Sequence, residues 1–235
     1  HKSFEDNSLT LSLAVPFTIK NDSVSCLSKN LSNVDNCRFI FNDVVTGIDN
    51  VGKDSRDGCI LKFEKREELT VLPCEPKFED KFISFEIKKP NKYKGNLYLR
   101  VLVNLEKNTI AYKKSGITQT TYIYDFKINE TRNLPQDIYD LKKHRDLEIC
   151  KVNNVFCLHA IPDNFIFSFV DSSKLKNIRK LETSAFQQYL PEIKGISKDC
   201  YNIMFLKDSG KDSYSIFSIC NEETIGSKQI ALAVG

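Results

Sequence analysis

Apolar and polar positions alternate along much of the first half of the chain. Ile83, Phe85 and Ile87 alternate with Ser84, Glu86 and Lys88. Leu97, Leu99, Val101, Val103 and Leu105 fall on one face, with Tyr98, Arg100 and Asn104 opposite. Tyr122, Tyr124, Phe126 and Ile128 resume the pattern after a turn at Lys114-Ser115-Gly116. A period of two puts successive side chains on opposite faces of a strand, so these runs predict half-buried strands. Further strands are predicted over 9–19, 38–45 and 59–72. Strands at this density, separated by short polar turns, predict antiparallel sandwich architecture.

The second half is mixed. Leu134, Ile138 and Leu141 are helically spaced, which makes 133–148 a short helix or an extended linker, with Pro135 limiting its start. A helix is predicted over 171–189, capped by Ser172 or Ser173, with Leu175, Ile178 and Leu181 on one face. Strands at 155–161 and 164–170 precede it. Segments 200–206 and 214–220 are expected to form a hairpin across the turn 208–212, and a last strand is expected at 229–234. The boundary is placed where alternation stops, near 129–133. That gives an N-terminal β-sandwich over 1–131 and a C-terminal β-rich domain with a helix over 132–235. Gly-Lys-Asp-Ser occurs at both 52–55 and 210–213. It is common turn chemistry, and also what a duplicated domain would leave behind.

Composition narrows the class without naming it. The 235 residues are 41% hydrophobic and 28% charged, which is neither disordered nor membrane-like. No apolar run spans a bilayer. A net charge of +3 is too small for a nucleic-acid binder. The chain has 27 Lys against 7 Arg, 22 Ile against 6 Ala, and 19 Asn. These are residues of A/T-rich codons, so most of the lysine excess reads as solvated surface.

Eight cysteines, Cys26, Cys37, Cys59, Cys74, Cys150, Cys157, Cys200 and Cys220, split four and four and include no C-x-x-C. Redox motifs and zinc ribbons need closer thiols, and Cys150, Cys157 and His159 lack a fourth ligand. Four disulfides in an oxidising compartment are expected, with their connectivity open. The sequons at Asn21, Asn30 and Asn129 fit a glycosylating lumen. The start at His1 is read as that of a mature secreted segment.

Catalytic constellations do not assemble. His144 lies in a charged run, and His159 lies in an apolar one. Nucleophile elbows, zincin motifs and phosphate loops are missing from the sequence. The expectation is no enzyme, no cofactor and no metal. Basic groups occur at Lys88, Lys89, Lys92 and Lys94, at 142–145, and at Lys174, Lys176, Arg179 and Lys180. They are solvated faces or contacts for an acidic partner or an anionic glycan. Tyr93, Tyr98 and Tyr112 are candidate interface anchors.

A β-rich, Asn/Lys/Ile-biased chain with Cys26, Cys37, Cys59 and Cys74 in one half and Cys150, Cys157, Cys200 and Cys220 in the other resembles the six-cysteine domain family of malaria parasites. Each half carries four cysteines where fuller members have six. The resemblance implies two tandem disulfide-pinned antiparallel β-sandwiches. It also implies a secreted adaptor or adhesion protein, held at the merozoite surface by a membrane-anchored partner and contributing with other invasion-complex proteins to erythrocyte invasion. A host receptor or glycan is a further implied partner, and direct membrane insertion is not expected. Two other classes stay open: a secreted viral decoy for a host cytokine or chemokine, and a secreted hydrolase.

Overall fold

A computed structural model describes residues 8–20, 23–53, 57–79, 81–90, 92–105, 110–132, 134–191 and 201–223. The fold is mainly β, with several antiparallel sheets, and three α-helices among the described residues. None of those helices is long and apolar enough to cross a membrane. The chain divides into two units, His1–Leu105 with Gln188–Pro191, and Glu106–Gln187 with Glu192–Gly235.

In the first unit, β1 (Ser8–Ala14) and β6 (Glu75–Glu79) flank β7 (Phe82–Lys88) in a three-stranded antiparallel sheet. The alternation predicted for β7 holds, because Ile83, Phe85 and Ile87 are all buried. They form a core with Val15, Ile19, Val24, Leu72 and Cys74, against which Leu9 and Leu11 of β1 pack. A second sheet runs β3 (Val45–Asn50), β4 (Cys59–Phe63), β5 (Leu69–Val71) and β8 (Asn96–Tyr98), with β5 and β8 parallel. Gly95 enters β8 with φ +64°, where a Cβ would collide with the Glu68 carbonyl, so only glycine admits this close pairing. β2 (Val24–Cys26) pairs with β9 (Val101–Val103).

Two expectations for this unit are corrected. The predicted strand over 38–45 is instead the C-terminal part of α1 (Val34–Phe41), which a short 3-10 helix, Ser28–Ser32, precedes. Asn33 caps α1 by accepting from the Asp35 and Asn36 amides at 2.8 and 3.3 Å, and Asn42 closes it at φ 48°. The single strand expected through 97–105 is broken into β8 and β9, which join different sheets.

The second unit begins with a hairpin of β10 (Ala111–Ser115) and β11 (Gln119–Ile128), closed where the Gly116 amide donates to Gln119 at 2.8 Å. These strands were expected in an N-terminal domain ending at 131. They instead join β16 (Tyr214–Glu223) and β13 (Phe165–Val170) in a four-stranded sheet, because β11 pairs with β16 along its whole length. α2 (Gln136–His144) begins directly after Pro135, so of the two readings of 133–148, helix or linker, the helix is the one found. β12 (Asn154–Pro162), β15 (Tyr201–Ser209) and β14 (Leu175–Lys180) make a third antiparallel sheet.

The helix predicted over 171–189 is corrected: its first part is a turn and β14, and only α3 (Thr183–Tyr189) is helical. The hairpin expected between the segments at 200–206 and 214–220 is also corrected. β15 and β16 follow each other in sequence, yet they lie in different sheets and the turn between them passes from one to the other. The strand expected at 229–234 lies outside the described residues.

Candidate functional site

The cysteines of the first unit stand in two pairs. Cys26 ends β2 half-buried, and its Sγ accepts the Cys74 amide at 3.4 Å. The Cys74 thiol hydrogen-bonds to Cys26, pulling the Cys26 thiol down to about 5 against the opposing effect of burial. The same contact, with burial, pushes Cys74 up. Cys37 on α1 and Cys59 on β4 both donate to the Leu31 carbonyl, at 2.9 and 3.6 Å. Burial raises these two thiols to about 12 and about 11, and the neighbouring Cys59 adds to the shift on Cys37. The seven described cysteines are thiols, outside disulfide distance.

In the second unit the cysteines are dispersed. Cys150 is exposed, Cys157 lies half-buried against the core of Val155, Met204, Leu206, Tyr214 and Ile216, and Cys220 is fully buried. Burial pushes the Cys157 thiol up and the Cys220 thiol to about 12. Cys200 lies outside the described residues.

The histidines take up the roles of ordinary structure. His159 projects from β12 into the interior, with Nδ1 3.2 Å from the Ser218 hydroxyl and its ring edge-on to Tyr124 and Phe167 at 4.4 and 5.6 Å. Burial holds it down at about 4, so at neutral pH it is uncharged. His144 is exposed on α2, with Nδ1 2.7 Å from the Asp140 carbonyl.

Two of the three sequons are described, and both carboxamides are engaged. Asn30 Nδ2 donates to the Tyr189 carbonyl at 3.1 Å, and Asn129 Nδ2 donates to that of Cys150 at 2.9 Å. Each nitrogen keeps a second proton for a glycan bond. Asn21 lies outside the described residues. Of the candidate tyrosine anchors, Tyr93 and Tyr112 are exposed. Tyr98 is not, since its ring meets Phe41 at 5.1 Å and its hydroxyl accepts from Arg100 at 2.9 Å.

Of the basic groups, one acquires a shape. Lys174 and Lys176, expected on a helix, sit at the start of β14, where they meet Lys207 of β15 and Lys211 of the following turn around a depression of about 330 Å³. Ser173, Asp208 and Ser209 complete its wall. The Lys174 ammonium is held by three acceptors, the Ser215 carbonyl at 2.6 Å, Asp171 at 3.1 Å and Asp208 at 3.6 Å. Lys211 reaches the same Asp208 oxygen at 3.0 Å. Burial works to raise the Asp208 carboxyl, but Lys211, the Ser209 amide and Lys174 overcome it and hold the group below the usual carboxylate range. Asp171 is lowered by the Ser173 hydroxyl first and then by Lys174.

Sequence reasoning missed Lys207 and the role of Asp208. Their strand belongs to a different run of the chain, and only the β14–β15 pairing brings them to Lys174. No protein-family model matches the chain, and neither a curated protein nor a solved structure is significantly similar to it.

Proposed function

We propose that this chain is a secreted, non-enzymatic adaptor or adhesion module built from two disulfide-pinned, sandwich-like domains. It would be held at a parasite surface by a membrane-anchored partner and take part in host-cell invasion, as its resemblance to the six-cysteine domain family implies. The observation that carries the reading is the pairing of Cys26 with Cys74 and of Cys37 with Cys59 across separate elements. Thiols brought together two by two are what an oxidising compartment converts into structural cross-links. Each bond forms as two thiols lose two electrons and two protons to an oxidised thiol–disulfide oxidoreductase, which leaves as a dithiol.

In the second unit, contacts from His159 on β12 to Ser218 on β16 and to Phe167 on β13 support a packing of sheet against sheet. The exposed Tyr93 and Tyr112 supply aromatic surface of the kind that protein partners use.

Mass-spectrometric mapping of the unreduced, alkylated protein tests the reading. It is expected to return Cys26–Cys74 and Cys37–Cys59. Alkylated free thiols at those four positions, in protein recovered from its native source, would overturn the extracellular assignment. Co-purification with a membrane-anchored parasite protein, lost when the partner is deleted, tests the adaptor role.

A further inference from the structure

Lysines are scattered over this chain, and their number alone argues for nothing. The group around β14 and β15 differs because side chains from two separate segments, 173–176 and 207–211, converge on one concave surface whose wall is almost wholly polar. Four lysines, Lys174, Lys176, Lys207 and Lys211, line it with one carboxylate, Asp208, and a second, Asp171, pairs with Lys174 beside it. Both carboxylates are already committed to Lys174, and Asp208 also serves Lys211. Among the described residues Lys176 and Lys207 form no ion pair, so the depression keeps an uncompensated positive potential, which a concavity focuses.

Its architecture is built rather than incidental. Lys174 is enclosed, its side chain 16% exposed, and its three acceptors fix the base of the site. Lys176 is the residue at which the pairing of β14 with β15 slips, between Leu175 and Asn177. A bulge of this kind turns the side chain of the extra residue away from the regular face. Lys207 is placed by a ring: its ammonium lies 5.1 Å from the centroid of Phe156, which is 55% exposed and stacks nearly parallel on Phe205 at 5.9 Å. Phe156 thus anchors Lys207 from outside the lining of the depression.

We infer that this depression binds a sulfated saccharide, with a sulfate ester between Lys176, Lys207 and Lys211. The lining offers ammonium point charges, which hold an oxyanion without imposing a bidentate geometry. A polar wall of this kind disfavours an apolar ligand. The choice of a sulfate over a phosphate ester rests on the extracellular reading above.

Titration with a heparin hexasaccharide, its fully desulfated and re-acetylated counterpart, and inositol hexakisphosphate tests the inference. The hexasaccharide is expected to bind, weakening as salt rises, and to shift backbone amide resonances at 173–176 and 207–211. The pair K176E/K207E is expected to weaken binding about tenfold or more, and K176Q/K207Q by a smaller factor. K142E/K143E on α2 should leave it unchanged. Lys174 is kept intact throughout because it ties the turn together.

Equal binding of the desulfated sugar would overturn the inference. So would indifference to K176E/K207E, an equal loss in K142E/K143E, or lysine-dependent binding of inositol hexakisphosphate without the hexasaccharide. Reduced cysteines in the mapping experiment would remove the extracellular reading, while lysine-dependent binding of the hexasaccharide would still establish the site.

Discussion

In the first unit β1 and β7 run seven residues each, and β2, β5, β8 and β9 have only three. In the second, β11 and β16 run ten and β12 and β15 nine. Three-residue strands form few ladder bonds, and sheets made of them hold together mainly through what packs across them. That is the unit whose four cysteines meet in pairs. Where the ladders are long, the described cysteines are dispersed and the interior is filled by Met204, Leu206, Tyr214 and Ile216 with His159 alongside. Among the described residues, the paired cysteines thus lie in the unit that holds the shortest strands.

The largest test of that contrast is chemical. With Cys26–Cys74 and Cys37–Cys59 formed, Cys26→Ser is expected to destabilise the first unit by about 4 kcal/mol, and Cys59→Ser by about 3.5 kcal/mol, from the loops each bond closes. Hydrogen exchange resolved by segment should show the loss in β1–β9 with β11 and β16 still protected. Uniform loss across both units would erase the distinction.

Acid should act the other way round. His159 has a folded value of about 4 against 6.5 unfolded, so the stability it contributes as a neutral ring is complete above pH 6.5. It declines as pH falls below 6.5 and is gone once pH passes below about 4, a change of about 3 kcal/mol at most. Ser218, Tyr124 and Phe167 around the ring supply no charge to rescue the imidazolium. Denaturant titrations across that window should show a steep decline in the second unit, flattened in His159→Gln.

Two smaller effects sharpen the picture of the first unit. Ser28 is buried and its hydroxyl donates to the Leu72 carbonyl at 2.7 Å. Ser28→Ala leaves that carbonyl without its donor and is expected to cost about 1–2 kcal/mol, read from the midpoint of urea unfolding. Asn33→Ala removes the cap of α1 at a cost of about 1 kcal/mol, and its exchange signature should stay within 34–41.

Alternation marked where β7 and β11 lie, but only in β7 did it mark a buried face; Phe126 of β11 is exposed, and the longer alternating run at 97–105 is divided between two sheets. α1 was misread because Arg38, Ile40 and Phe41 mimic a strand when taken alone. The helical signal is the Asn33 cap five residues earlier, and it looked like one more asparagine in an asparagine-rich chain. β14 was misread in the opposite sense. Leu175, Ile178 and Leu181 have helical spacing, yet the bulge at Lys176 shifts the alternation by one and disguises a strand.

The supposed hairpin of β15 and β16 failed for a reason that no local pattern contains. Each strand found longer partners elsewhere, β12 for one and β11 for the other. The basic depression depends on those same distant pairings, so the sequence displayed two of its lysines as a group and concealed the other two. The cysteine pairs were visible as a number and not as a connectivity, since the nearness of Cys26 to Cys74 comes from β2 and the segment that follows β5.

The return of Gln188–Pro191 to the first unit bears on how the protein is made. Tyr189 is fully buried there, its ring 5.1 Å from the Arg100 guanidinium and its carbonyl accepting from Asn30 Nδ2 at 3.1 Å. A chain leaves the ribosome N-terminus first, at about 5–20 residues per second. For several seconds residues 1–105 therefore exist without the tyrosine that completes their unit. The unit's own cysteines, Cys26, Cys37, Cys59 and Cys74, are all translated before that last piece of it.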